Sequence, residues 1–224
     1  MSDSLERAKE LAGRRAAEEV EDGMRVGLGT GSTVHHTILA LGERRPRITC
    51  VATSDRTAEL ATRLGLHVVS PDELVALDIA IDGADEVDPD FNLIKGGGGA
   101  HTREKIVASM ADRFIVVVDE SKLVERLGAF GLPLEALPFA PAVLVARVEA
   151  LGARDVTRRP EPSDNGNVLL DAHFGAIEDP AGLAARLAAI PGLVEHGIFL
   201  GDMLERVVVA SADGVSERLA PVRA

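Results

Sequence analysis

Four consecutive glycines, Gly96–Gly99, lie between Lys95 and the segment Ala100-His101-Thr102-Arg103-Glu104-Lys105. No other feature constrains the chain as much. Each glycine loses maximal backbone entropy on being fixed and offers no side chain to bury, so the run forms neither a stable helix nor a well-packed strand. Such a run is useful where backbone N–H groups must approach a ligand closely. Thr102 suits a helix N-cap, and Arg103-Glu104-Lys105-Ile106-Val107-Ala108 reads as the helix it opens. A lysine therefore precedes a flexible cradle, and a carboxylate sits on the first turn after it. The competing reading is a solvated glycine-rich hairpin.

Two further segments weigh against that alternative. Gly27-Leu28-Gly29-Thr30-Gly31-Ser32-Thr33 follows the apolar Met24-Arg25-Val26 and precedes a helical pattern from Val34. A strand, a glycine turn and a helix start together make an anion site, where N–H groups and the positive helix end converge on a phosphate and two hydroxyls add donors. The third glycine of a dinucleotide fingerprint would fall on Ser32, and no G-K-[ST] follows, so a small phosphoester fits better than NAD or ATP. The second segment, Asp82-Gly83-Ala84-Asp85-Glu86-Val87-Asp88, follows the apolar run Leu77–Ile81. This is how a buried parallel strand reads, and its carboxyl end is where open α/β sheets bind ligands. The acid spacing fails the calcium-loop pattern, which leaves acid–base chemistry and a solvated turn as equal alternatives.

The chain of 224 residues has 24 basic residues but only four lysines, Lys9, Lys95, Lys105 and Lys122. Arginine supplies the general surface charge, so a compact ammonium in that background is a candidate for a specific task. A net charge of −12 argues against nucleic-acid binding, and it requires a local positive pocket for any anionic substrate. The single cysteine, Cys50, excludes an internal disulfide and fits a reducing cytoplasm. There is no signal-peptide core and no long apolar span, so no membrane anchor is expected. The six histidines, His35, His36, His67, His101, His173 and His196, show no metal-ligand spacing. His35 and His36 would point about 100° apart on a helix.

Apolar residues at helical spacing (Leu5, Ala8, Leu11, Ala12, Ala16, Val20) predict an N-terminal helix over Leu5–Val20. Strands and helices then alternate: Met24–Leu28, Val34–Leu41, Ile48–Ala52, Thr57–Leu64, His67–Val69, Asp78–Asp82, Thr102–Met110 and Phe114–Asp119. The alternation implies a mostly parallel, doubly wound α/β sheet with helices on both faces. The rhythm changes after Gly128. Leu132–Phe139, Ala142–Leu151, Ala153–Arg159, Val168–Phe174, Ala181–Ile190 and Val194–Leu200 read as strand, helix, strand, strand, helix, strand. That order suggests a smaller ferredoxin-like α+β domain, with Asn165-Gly166 as the hairpin signal between its middle strands. Arg206–Ser211 is expected to return to the main sheet. The predicted domains are therefore 1–127, with 204–224 returning to it, and 128–203.

The chain resembles the metal-independent, type A ribose-5-phosphate isomerases. The resemblance rests on Gly29–Thr33, Thr53-Ser54-Asp55-Arg56-Thr57, Asp82–Glu86, Lys95–Gly99 with Thr102–Lys105, and Asp119-Glu120-Ser121-Lys122. It continues through Pro138-Phe139-Ala140, Ser163-Asp164-Asn165-Gly166-Asn167 and Pro191–Gly197. His101 departs from it, standing where small or apolar residues are usual, and aromatic residues are few. The resemblance implies an aldose–ketose isomerase that interconverts ribose 5-phosphate and ribulose 5-phosphate through an enediol(ate), without cofactor or metal. By the same token it is expected to be a cytoplasmic homodimer acting on a small sugar phosphate in the pentose phosphate pathway.

Transferred residue by residue, the resemblance makes Glu104 the base. Asp82 and Asp85 become the groups that handle hydroxyl protons and ring opening, and Lys95 the cation facing the enediolate. Thr30, Gly31, Ser32 and Thr33 would hold the phosphate. Gly83, Ala84, Gly96, Gly97 and Gly98 would contact substrate, and Lys122 and Lys9 would help to position it. A sugar-phosphate deaminase or lactonase-like hydrolase would also suit the phosphate loop and acidic strand end. The pairing of Lys95 with Glu104 favours the isomerase. A non-catalytic sugar-phosphate sensor would keep the loop but would carry an output domain.

Overall fold

The computed structural model describes residues 2–221, with side chains from residue 6 onward; Leu5 as a core position and residues 222–224 of the returning segment lie outside that description. The chain order is α1 (Ser2–Ala17), β1 (Arg25–Leu28), α2 (Ser32–Arg44), β2 (Thr49–Ala52), α3 (Asp55–Arg63), β3 (His67–Val68), β4 (Ile79–Asp82), β5 (Glu86–Val87), β6 (Leu93–Ile94), α4 (His101–Met110), β7 (Phe114–Asp119) and β8 (Leu132–Ala136). It continues with α5 (Pro141–Ala150), β9 (Asp155–Arg158), β10 (Val168–His173), α6 (Pro180–Ala188), β11 (Leu193–His196), β12 (Ile198–Phe199), β13 (Arg206–Ser211) and β14 (Gly214–Leu219). Among the described residues two compact units are formed, one from 2–83, 103–122 and 202–221, the other from 84–102 and 123–201.

The first unit holds a seven-stranded sheet in the order β14-β13-β7-β4-β1-β2-β3, parallel except for the β13–β14 hairpin. Its interior strand β7, Phe-Ile-Val-Val-Val-Asp, is buried along its whole length, as a β-branched run covered on both faces should be. Val26, Leu28, Ile79, Ile81, Ile115, Val117 and Val208 pack on one face with residues of α1, α2 and α3. On the opposite face a β-carbon at Gly27 would stand 2.5 Å from Val107 of α4 and 3.0 Å from Ala80. Helices therefore cover both faces. Moving outward from β1, the chain goes to β2 on one side and to β4 and β7 on the other, so the strand order reverses between β1 and β4.

Helix α1 buries the narrow stripe Ala8, Ala12 and Ala16, while Leu11 is 44% exposed. Small residues face α2 because the helices approach closely: a β-carbon on Gly13 would meet His36 Cβ at 2.7 Å. Leu11 points off that stripe, contrary to expectation.

The second unit carries a four-stranded antiparallel sheet, β11-β8-β10-β9, with α5 and α6 as its two helical connections. That is the expected ferredoxin-like arrangement. A three-stranded sheet, β12-β6-β5, completes it. The expected strand Val194–Leu200 is interrupted at Gly197, giving β11 and β12. β9 and β10 form the expected antiparallel hairpin, with Asn165-Gly166 in the connection between them but not as a two-residue loop. Leu170 pairs with Arg158, so the connection is longer, and the turn inside it is closed by Gly166 N–H donating to Ser163 O at 2.8 Å.

Candidate active site

In the first unit, the strand-order reversal places the carboxyl ends of β1 and β4 side by side, which is where open α/β sheets bind ligands. Gly29-Thr30-Gly31 leaves β1 there and α2 begins at Ser32. Asp82, the last residue of β4, is 3% exposed. Its Oδ1 accepts the N–H of Thr30 at 3.0 Å and of Gly83 at 2.7 Å. The carboxylate thus ties the phosphate-type turn to the end of its neighbouring strand. Gly31 takes φ 147°, a conformation that favours glycine, and no side chain caps α2. An uncapped helix start presents N–H donors and the positive end of the helix dipole to an anion.

Behind the turn lies a hydroxyl cluster that the sequence shows only as the motif Thr53–Thr57. Thr30 Oγ1 is 3.0 Å from Thr53 Oγ1, 2.7 Å from Ser54 Oγ and 3.0 Å from Thr57 Oγ1. Thr57 donates to Gly29 O at 3.0 Å, and Ser54 caps α3 by accepting from Thr57 N–H at 3.1 Å. Thr30 therefore spends its hydroxyl on fixing the loop, while Ser32 is exposed. A cavity of about 420 Å³ opens beside the turn, lined by Gly31, Ser32 and His35 and by Arg56 and Arg63 of α3. These two guanidinium groups supply local positive charge in a protein of net charge −12.

Glu104 lies on the first turn of α4 and is 4% exposed. Its neighbour Arg103 pairs with Asp55 at 2.7 Å. Lys122 ends a short 3₁₀ turn after β7, and Lys9 lies on α1, both half-buried. Among the described residues no hydrogen bond joins either lysine to the Gly29–Thr33 turn.

In the second unit, the glycine cradle is built around Asp85. Asp85 Oδ2 accepts the Gly97 N–H at 2.7 Å, and a β-carbon on Gly97 would stand 2.5 Å from Asp85 Oδ1. Lys95 is buried, with its N–H on Gly197 O at 2.9 Å and its Nζ 5.4 Å from the centre of the Phe199 ring. The remaining acids of the segment have structural tasks. Glu86 accepts the N–H groups of Gly128 and Phe130 at 2.6 and 2.5 Å, and Asp88 caps a turn at Asp90 and Asn92.

His101 is fully buried, with Nε2 3.3 Å from Glu195 O and its ring where a Gly96 β-carbon would fall. Thr102 is not the N-cap, because α4 begins at His101. Its hydroxyl donates instead to Glu135 at 2.5 Å. Glu135, fully buried on β8, also accepts Ser163 Oγ at 2.9 Å and the side-chain amides of Asn165 and Asn167 at 3.0 and 2.8 Å. Burial pushes its carboxyl pKa up, but these four donors outweigh burial and hold it below the usual range. In the sequence Ser163–Asn167 stands out only as a turn signal and a family motif, and nothing singles out Glu135, whose partners lie about thirty positions away in either direction.

Among the described residues no group of three or more His, Cys, Asp and Glu side chains could hold a metal ion. No helix among them is long and apolar enough to cross a membrane.

The profile of ribose 5-phosphate isomerase A (phosphoriboisomerase A) matches residues 49–214. A ribose-5-phosphate isomerase A from Thermomicrobium roseum is 50% identical over 220 residues, covering 94% of this chain and 92% of the relative. The solved ribose 5-phosphate isomerase A of Methanocaldococcus jannaschii superposes with a TM-score of 0.90 at 39% identity, covering 96% of this chain and 99% of that one. A D-ribose-5-phosphate isomerase solved in complex with phospho-erythronic acid gives 0.92 at 39% identity, with the same coverage. Matched in profile, in sequence along nearly its whole length and in fold, the chain belongs to the ribose 5-phosphate isomerase A family.

Proposed function

We propose that this chain interconverts D-ribose 5-phosphate and D-ribulose 5-phosphate by proton transfer through an enediol(ate), as a cytoplasmic homodimer in the non-oxidative pentose phosphate pathway. The observation that carries the reading is the crevice at the ends of β1 and β4. There, in a chain of this family, Asp82 holds the uncapped Gly29–Thr33 turn. An isomerisation of this kind needs one base that reaches two carbons, donors for the developing oxyanion and help in opening the furanose ring.

Glu104 takes the proton from C2 of the open-chain aldose and returns it to C1. Asp82 and Asp85 move the hydroxyl protons, including the one transferred on ring opening. Lys95 stabilises the enediolate charge. The Gly31 N–H and the hydroxyls of Ser32 and Thr33 hold the phosphate, with Thr30 bracing the turn. The backbone at Gly83, Ala84, Gly96, Gly97 and Gly98 contacts the sugar, while Lys122 and Lys9 help to position it. No metal or cofactor takes part.

The test is solvent deuterium incorporation. Incubation with ribose 5-phosphate in D₂O should place deuterium at C1 of the ribulose 5-phosphate formed. Binding of several sugar phosphates with no exchange into any of them would overturn the reading in favour of a sensor.

A further inference from the structure

The glycine cradle has no side chains of its own to hold it, so its geometry must be imposed from outside. Arg159, directly after β9, does this from a rigid base. Its N–H continues the ladder to Leu169 O at 2.9 Å. Its Nε and Nη2 form a fork on Asp171 of β10, at 2.8 Å to Oδ2 and 2.6 Å to Oδ1. The paired carboxylate locks the guanidinium plane and leaves Nη1 as a double donor. Nη1 reaches Gly96 O at 3.0 Å and Gly97 O at 3.1 Å.

A trans peptide directs its C=O and its N–H to opposite sides. The peptide between Gly96 and Gly97 is therefore gripped at both poles, its carbonyl by Arg159 and its N–H by Asp85. The next carbonyl is held by the same Nη1, which turns the Gly98 N–H away from Arg159. A guanidinium on the carbonyl also polarises that peptide, making the Gly97 N–H a stronger donor to Asp85.

We propose that Arg159 is a positioning residue for the isomerase reaction, setting the glycine cradle and, through the Gly96–Gly97 peptide, the orientation of Asp85. Lysine cannot replace it, because a point charge cannot fork onto Asp171 and bridge two carbonyls at once. The inference rests on the isomerase reading above and extends it to a residue that acts through the cradle backbone.

The experiment compares the parent with Arg159→Ala, Arg159→Lys and Arg159→Gln by steady-state kinetics on ribose 5-phosphate, thermal unfolding, and added guanidinium ion at concentrations that leave the parent unaffected. Misplacing catalytic groups by about 1 Å costs up to about 100-fold. The kcat of Arg159→Ala should therefore fall about 10- to 100-fold, with KM changing less than about threefold. Guanidinium should restore a substantial part of that kcat. Arg159→Lys should stay as impaired as Arg159→Ala. Arg159→Gln, which keeps an amide donor for the glycine carbonyls, should be intermediate, and it carries the test if Arg159→Ala does not fold. Unchanged kcat in a folded variant would overturn the proposal. So would a loss that follows the fall in unfolding temperature and is not relieved by guanidinium. If the parent itself fails to isomerise, the isomerase reading fails instead, and the two failures are told apart by the parent alone.

Discussion

A β-carbon on Gly29 would stand 2.0 Å from Asp82 Oδ1 and 2.6 Å from Asp82 Cα. The second contact is with backbone, so rotating the Asp82 side chain cannot relieve it. Gly29→Ala must therefore push the ends of β1 and β4 apart, which also draws Asp82 off the Thr30 N–H. Overpacking of this kind costs about 1–3 kcal/mol. We expect the denaturant midpoint to fall accordingly and turnover to fall by at least about tenfold. Parent-like stability and turnover in this variant would contradict the role given to the contact.

Glu104→Gln keeps the size of the side chain and most of its hydrogen-bonding capacity but cannot accept a proton. Turnover should drop by about 10²–10⁴-fold, with a much smaller change in the dissociation constant for ribose 5-phosphate measured by calorimetry. Near-normal turnover would remove Glu104 from the base role.

Combining Ser32→Ala with Thr33→Val removes two hydroxyl donors and keeps the shape of the buried Thr33. Hydrogen bonds to a charged group contribute roughly 1.5–3 kcal/mol each, so kcat/KM for ribose 5-phosphate should fall at least about tenfold. Activity on unphosphorylated ribose should hardly change. Equal losses on both substrates would mean that the turn shapes the site without holding phosphate.

Activity should survive exhaustive EDTA treatment and dialysis. A loss restored only by Mg²⁺, Mn²⁺ or Zn²⁺ would recast Asp82 and Asp85 as ligands.

Glu135 links pH to stability. Its carboxyl pKa is held below the unfolded value, so its contribution is fully present above about pH 4.3, the ordinary glutamate value, and is lost as pH falls through the folded value. Glu135→Gln should unfold at clearly lower urea than the parent at pH 7. As pH drops below about 4, the two urea midpoints should converge. A gap that stays constant or widens in acid would show that the carboxylate charge is not what stabilises the fan of donors.

Much of the architecture is legible in local pattern. The apolar run Phe114–Val118 gives a buried parallel strand, and Gly29-Thr30-Gly31 before a helical period gives a βα turn. Legibility stops where a residue's partner is remote in sequence. Thr102 has the chemistry of an N-cap, yet its hydroxyl is claimed by Glu135, thirty-three positions away. Asn165-Gly166 carries a hairpin signature, but Asn165 also donates to Glu135, so its turn sits within a longer loop. The acids after β4 look equivalent as a string, and only the fold distinguishes Asp85, on the cradle, from Glu86, on the Gly128 and Phe130 amides. Arg159 is one arginine among many until its carbonyl partners, more than sixty positions earlier, come into view. Strands of two residues, such as β5 and β6, are too short to carry a period.

The position of β13 has a consequence for synthesis on the ribosome. Arg206 pairs with Ile115 and Ala210 with Asp119, so β7 waits for a partner made ninety-one residues later. Until then a strand apolar from Phe114 to Val118 has one unpaired edge, and open edges of that kind recruit other chains. Pairing over so long a separation also slows closure of the sheet. A nascent chain paused, or a truncated chain ended, before Arg206 should therefore depend on chaperones and tend to aggregate.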